Sequence, residues 1–288
     1  MSRVWLLNLD AEIEIEGRVP YPGPLAAITK RPELRAALAA LIPGGDTVLR
    51  VEPARGECAS MQGFTWSPSP RALACLRVGG ADVVRPLPEE TLRAVLSRGF
   101  AAGLGLHIEG SRFSHDAAAA LAHVRVASPT QRWLVRRAFG FAGKARRVFS
   151  QLFAADERFV ANAALEGGVL IEPFVDVTAD FGLHGFVDDH RLVLGEPVAN
   201  EVGAGGVFRG SRIAAASDLT ASERVELVRE TERAGAALRS AGYRGPYGVD
   251  AFRYTRGGSA RFQPRCEINA RYSMAWAVGM GERRPDLE

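Results

Sequence analysis

The stretch "RCEINARYSMAW", residues 265–276, constrains the fold more than any other. Cys266, Ile268 and Ala270 alternate with Glu267, Asn269 and Arg271. Successive side chains of a strand point to opposite faces, so the pattern predicts an apolar face and a row of carboxylate, amide and guanidinium opposite it. Upstream stand "YGVDAFRY" and a turn, "TRGGSA", so residues 247–271 read as a closing β-hairpin folded about Gly257–Gly258. That folding places Asp250 opposite Arg265 and Glu267 and gathers Asp250, Glu267 and Asn269 on one surface. Hard oxygen ligands, partly anionic and few in number, suit a Mg²⁺ that keeps waters and shares its ligands with nucleotide phosphates. Arg271, two residues on, would present a planar fork of donors to an anion near the metal. A solvated strand face with cross-strand ion pairs accounts for the same residue types, and both readings stand at this point.

A chain of 288 residues, 47% of them hydrophobic, has enough apolar surface for more than one lobe. Its net charge of +3 comes with no basic run interleaved with aromatics, which argues against nucleic acid as a partner. No stretch approaches a membrane span, and the opening "MSRVWLLNLD" reads as a first strand rather than a signal-peptide core. Three cysteines at these spacings form neither a disulfide framework nor a zinc site, and the expectation is a reducing cytoplasm. Lys30 and Lys144 are the only lysines among 36 basic residues, as in the codon bias of a GC-rich genome. That makes Lys144, inside "VRRAFGFAGKARRV", conspicuous. Gly140, Gly143 and Lys144 fall between two predicted strands, where glycines let backbone N–H groups approach an oxyanion and a lysine adds charge. The spacing is neither a P-loop nor a dinucleotide fingerprint, and an ordinary hairpin turn explains it equally well.

Along the rest of the chain, residues 1–95 predict an α/β region. It has strands at "RVWLLNL" and "TVLRVE", a helix over 31–41, a loop over 53–70 and a helix over 88–104. "HDAAAALAHV" predicts a short helix capped by serine. "VLIEPFV" predicts a strand ending in a hinge, and "DFGLHGFVDDHRLVLGEPV" a hairpin turning at "VDDHR". Residues 219–243 carry the clearest helix, with a Thr220/Glu223 capping box and Gly242 at the left-handed C-terminal position. His184 and Cys266 are expected as core residues.

Together these pieces resemble the ATP-grasp superfamily of ATP-dependent carboxylate–amine ligases. The landmarks are a basic strand residue eight positions before the glycine-loop lysine, the hinge "VLIEPFV", Asp180 beyond it, and the pair "GVD" (248–250) and "EINAR" (267–271). The resemblance implies an α+β ATP-grasp fold over 96–288, with a glycine-loop lobe over about 96–170 and a metal lobe over about 171–288. An N-terminal α/β domain would precede it over 1–95. It implies ATP and Mg²⁺, the metal held by Asp250, Glu267 and Asn269. Gly140, Gly143 and Lys144 would close over the phosphates, while Arg136 and Arg98 would stand where phosphate-contacting lysines are usual. Glu172, Phe174 and Val175 would face the adenine and Asp180 the ribose. Arg271 and Arg209 would neutralise the oxyanion formed as an amine attacks an activated carboxylate. The implied partners are small carboxylate and amine substrates of amino-acid or peptide-like kind, and a homodimer by family habit. A phosphotransferase on the same metal pair and a nucleotide-binding module without turnover are the alternatives.

Overall fold

The computed structural model describes every residue except 1, 10, 18–31, 50, 51, 85, 106, 107, 141–144 and 204–206. Three sheets organise the chain. The first is parallel, in the order β2-β1-β3-β4, from β1 (Arg3–Leu6), β2 (Thr47–Leu49), β3 (Gln62–Thr65) and β4 (Asp82–Val83). Around it lie α1 (Ala11–Glu16), α2 (Pro32–Leu41), α3 (Pro70–Val78) and α4 (Glu89–Leu96). β3 corrects the loop expected over 53–70. Four residues flanked by Gly, Ser and Pro carry little local strand signal, and parallel pairing with β1 supplies what propensity lacks. Phe64 of β3 then stacks on Trp5 with ring centroids 4.7 Å apart.

The helix expected over 88–104 is two helices. Ser97 breaks it in an extended conformation (φ −77°, ψ 143°), and its hydroxyl accepts from the N–H of Gly99 to cap α5 (Arg98–Gly103). The second sheet has the order β5-β8-β6-β7, from β5 (Arg112–Ser114), β6 (Trp133–Arg137), β7 (Arg146–Phe149) and β8 (Val169–Pro173). Helices α6 (Ala117–Arg125) and α7 (Ala154–Leu165) cover it, burying Val124, Trp133, Val160 and Ile171. Asp116, not Ser114, caps α6, its carboxylate accepting from Ala118 and Ala119.

The third sheet is antiparallel: β12-β11-β9-β13-β14, with β10 also paired to β9. Its strands are β9 (Asp176–Val187), β10 (Leu192–Leu194), β11 (Val198–Gly203), β12 (Val207–Ile213), β13 (Gly245–Arg256) and β14 (Ser259–Asn269). The long helix α8 (Ala221–Ser240) has the expected capping box, and Gly242 follows it at φ +90°. Leu227, Ala234 and Leu238 of α8 share one core with Phe181, Leu183, Val249 and Ile268 of the sheet. One face of the sheet is thereby sealed, and the other is left for polar residues. Among the described residues no helix is long and apolar enough to cross a membrane.

The closing hairpin turns at Gly257 and Gly258, with φ of +60° and +76°, angles that favour glycine. Its register puts Asp250 opposite Glu267 and Gly248 opposite Asn269. Phe252 then faces Gln263, so the edge strand bulges between Gln263 and Glu267, where Pro264 offers no N–H. The bulge corrects the expected partnership of Asp250 with Arg265. Arg265 is instead buried, 3.0 Å from Glu230 of α8, and donates to the carbonyls of Ala101 and Gly105.

Two stability outcomes follow. Removing one partner of a buried ion pair leaves the other charge uncompensated. Glu230→Ala should therefore destabilise the fold by about 3–5 kcal/mol in urea titration. His184 of β9 is enclosed by glycines: a Cβ at Gly248 would lie 2.8 Å from its ring and one at Gly279 2.9 Å from Nδ1. Burial holds its pKa down to about 4, and Nδ1 has no hydrogen-bond partner. The neutral ring thus contributes stability that is present above pH 6.5 and lost as pH falls through about 4. The loss is on the order of 3 kcal/mol. His184→Gln should flatten the fall in urea midpoint across that window, and an unchanged pH slope would refute this account.

Candidate nucleotide and metal site

The open face of the third sheet carries a row built by register. Paired residues of an antiparallel sheet project to the same side. Asp250 pairs with Glu267 on β14 and with Gly182 on β9, while Asp180 pairs with Phe252 and with Asn200 of β11. Asp180, Asp250, Glu267 and Asn269 therefore share a face, with Gly182 leaving the floor open between them. Asn269 donates from Nδ2 to Asp250 Oδ2 at 2.9 Å.

The two carboxylates are treated differently by their surroundings. Glu267 accepts from Arg98 of α5 at 3.0 Å and lies 3.7 Å from Arg136 of β6. Burial alone would raise its pKa, but Arg98, Arg136 and Arg271 together hold it below the usual range. Asp250 has no such cation against it. Burial and the charge of Glu267 push it up to about 6, against the hydrogen bond from Asn269. A carboxylate kept beside another with an amide but no counter-ion has the donor set of a divalent cation site. Among the described residues, no three His, Cys, Asp or Glu side chains cluster as metal ligands, so two carboxylates and an amide make up this set. Asp180 is also raised by burial, and Asn200 Oδ1 is buried without a partner, which leaves further acceptors at the margin of the row.

Arg136 and Glu172 pair at 2.5 Å across the antiparallel contact of β6 and β8. The Glu172 carboxylate is thus engaged by Arg136, within the lobe. Phe174 stacks under the Arg132 guanidinium at 4.1 Å, and half-buried Val175 follows it. Gly140 lies in the turn after β6, whereas Gly143 and Lys144 lie outside the described residues. Arg209 is exposed on edge strand β12, three strands from β13 and about 14 Å away by strand spacing. It and Arg271 are accordingly not brought together. Cys266, expected in the core, is half-buried and lies in the field of Asp250, Arg136 and Glu267, because the bulge rotates it out of the apolar face.

Arg271 stands just past the end of β14 and meets a residue that sequence reading missed. Its Nε and Nη2 both donate to Glu12 Oε1 at 2.5 Å. Glu12 belongs to α1, 259 residues away in sequence, and its Oε2 is buried without a donor. An acidic residue in the first turn of a helix is ordinary by sequence, and only the tertiary contact distinguishes this one.

No family model matches the chain, and no curated protein does. Solved structures do. Rhizobium etli pyruvate carboxylase is similar over 96% of this chain and 27% of that one, at 17% identity and a TM-score of 0.55. Carboxyaminoimidazole ribonucleotide synthase from Aspergillus clavatus, complexed with ATP, is similar over 94% of this chain and 71% of that one, at 12% identity and a TM-score of 0.52. D-alanyl-alanine synthetase A from Vibrio cholerae is similar over 98% and 90%, at 12% identity and a TM-score of 0.50. Similarity over nearly the whole chain at such low identity shows the fold alone, which is the ATP-grasp fold.

Proposed function

We propose that this protein is an ATP- and Mg²⁺-dependent carboxylate–amine ligase, releasing ADP and phosphate. The observation that carries the reading is the pairing of Asp250, which lacks a cation, with Glu267, which has two arginines. Carboxylate oxygen is a poor leaving group, and phosphoryl transfer from ATP converts it into a good one. Such transfer needs positioning and charge neutralisation more than a covalent protein group.

Asp250, Glu267 and Asn269 would hold the metal, which supplies charge neutralisation at the phosphates when bound. Arg98 and Arg136 bring positive charge to the same edge of the row from the other lobe. The turn containing Gly140, Gly143 and Lys144 would close over the phosphates and exclude water. Glu172, Phe174 and Val175 form the segment that would border the adenine, and Asp180 would accept from the ribose. One neighbour of the same fold was solved complexed with ATP, which supports a nucleotide as the ligand.

Arg271 would neutralise the oxyanion as the amine attacks the acyl phosphate. Glu12 fixes its guanidinium, and the second Glu12 oxygen is placed to accept from a substrate ammonium. Arg209, on edge strand β12, would act on phosphate or substrate rather than on the same oxyanion. Cytoplasmic location and a homodimer belong to the same reading.

Titration with magnesium and a non-hydrolysable ATP analogue tests it. Asp250→Ala and Glu267→Ala should each weaken binding by about a hundredfold, some 2.7 kcal/mol. Unchanged affinity in either would overturn the assignment. Acceptor-dependent release of both ADP and phosphate marks a ligase, whereas ADP without phosphate marks a phosphotransferase. Asp250→Asn adds a sign that a merely structural carboxylate would not give. With its folded pKa raised to about 6, Asp250 contributes stability below about pH 4 that is lost as pH rises through 6. At pH 7.5 the amide should therefore stabilise the nucleotide-free protein, by about 1 kcal/mol, while removing the stabilisation by magnesium-nucleotide.

A further inference from the structure

A cavity of about 1050 Å³ opens between the first sheet and the ends of β9 and β13 nearest it. Five aromatic rings stand in its walls: Phe64 and Trp66 from the first domain, Phe186 of β9, Tyr243, and Tyr272 beyond β14. Prolines, among them Pro68, Pro86 and Pro246, fill the spaces between the rings. The charged groups at its margin are largely spoken for. Asp189 pairs with Arg244 at 2.6 Å, and Asp286 pairs with Arg284 and accepts from the Tyr272 hydroxyl, both at 2.8 Å. Asp82 is exposed. The Tyr243 hydroxyl donates to the carbonyl of Pro246 at 2.5 Å, turning the ring rather than the oxygen to the cavity.

Arg271 borders the cavity rather than lining it: it precedes the lining residue Tyr272, to whose carbonyl its Nη1 donates at 2.9 Å. The Arg271 guanidinium lies 5.9 Å from the Trp66 ring centroid, and its charge is felt by Tyr243 on one side and by Asp250 and Glu267 on the other. The N–H of Tyr272 donates to the Trp66 carbonyl at 3.2 Å, tying together two of the rings that line the cavity. A carboxylate held at Arg271 would thus have its reacting oxygens toward the metal row and the remainder of the molecule toward these rings.

Size and lining then limit what that remainder is. The volume is at the upper end for small-molecule sites, which run from about 300 to 1,000 Å³. A methyl-sized side chain would leave nearly all of it empty, and an unfilled apolar void forfeits the contacts its walls could make. Flat aromatic walls gain most from another ring set offset or edge-on. We infer that the carboxylate substrate carries an aromatic body, which lodges between Trp66, Phe186 and Tyr272. The inference rests on the ligase reading for the identity of the reacting group.

The probes are 3-phenylpropionate, phenylalanine and tryptophan, with alanine as the small control. Each is titrated calorimetrically into the full chain saturated with magnesium and a non-hydrolysable ATP analogue. At least one aromatic acid should bind about tenfold more tightly than alanine. Phe186→Ala should weaken that binding about fivefold by removing one ring contact. Val84→Trp, at an exposed lining position beside β4, should abolish it by filling the cavity. Both variants should keep wild-type magnesium-nucleotide affinity, which also shows that they fold. Aromatic acids that bind no better than alanine, or whose binding ignores both substitutions, overturn the inference while leaving the ligase reading intact. A wild-type chain that binds no magnesium-nucleotide overturns the ligase reading instead. The same acids titrated into the nucleotide-free protein then decide the cavity's occupant by the same two variants.

Discussion

Two carboxylates facing each other across neighbouring strands repel, and the rest of the site is arranged around that repulsion. Asp250 and Glu267 are directly opposed by register, so neither can move away without breaking the hairpin. Glu267 is relieved by Arg98 and Arg136, which come from α5 and β6 rather than from its own sheet. The same contacts bind the second sheet to the third. Electrostatic relief of the row and apposition of the two lobes are therefore one interaction. Asp250 has no ion-pair partner, and burial and Glu267 raise its proton affinity against the Asn269 amide and the more distant charge of Arg271. The negative charge of the row is thus only partly neutralised.

Much of this was legible in the sequence wherever a local rule governs. The hairpin turn at Gly257–Gly258, the capping box of α8 and the alternation of β14 near Glu267 are set by backbone preferences and side-chain period, and all appear as expected. Departures arise where long-range pairing overrides local signal. β3 lies within a stretch of Gly, Ser and Pro and becomes a strand because β1 offers it a partner. Pro264 interrupts an otherwise regular alternation, so that Arg265 turns to Glu230 and Cys266 toward the site. Ser97 splits a continuous helical pattern because α5 must turn to carry Arg98 to Glu267. The contact of Arg271 with Glu12 has no sequence signature at all, since it spans 259 positions.

That long contact marks the seam between the first domain and the third sheet. On one side of it Trp5, Trp66, Tyr272, Trp276 and Met280 form a common core, so the first domain is held by apolar burial as well as by the ion pair. A buried ion pair contributes little net stability of itself, because desolvating both groups offsets their attraction. Its value here is orientation. A guanidinium held by one carboxylate oxygen and by the Tyr272 carbonyl, with the Trp66 ring beside it, has few alternative positions.

The division of labour across the seam follows from the packing. Asp180, Asp250, Glu267 and Asn269 of the third sheet are set by strand register, which a one-residue slip would destroy along the whole face. Residues that face the cavity come from strand ends and loops of two separate domains, and each can change without disturbing the register of any sheet. Phe186 and Pro246 lie near the ends of β9 and β13, and Phe64 and Trp66 at and beyond the end of β3. Substitution there alters the shape offered to a substrate while Asp250, Glu267 and Asn269 keep their positions. On the ligase reading proposed above, the chemistry would be fixed by the part of the fold least free to vary and selectivity by the part most free, with Arg271 at the seam between them.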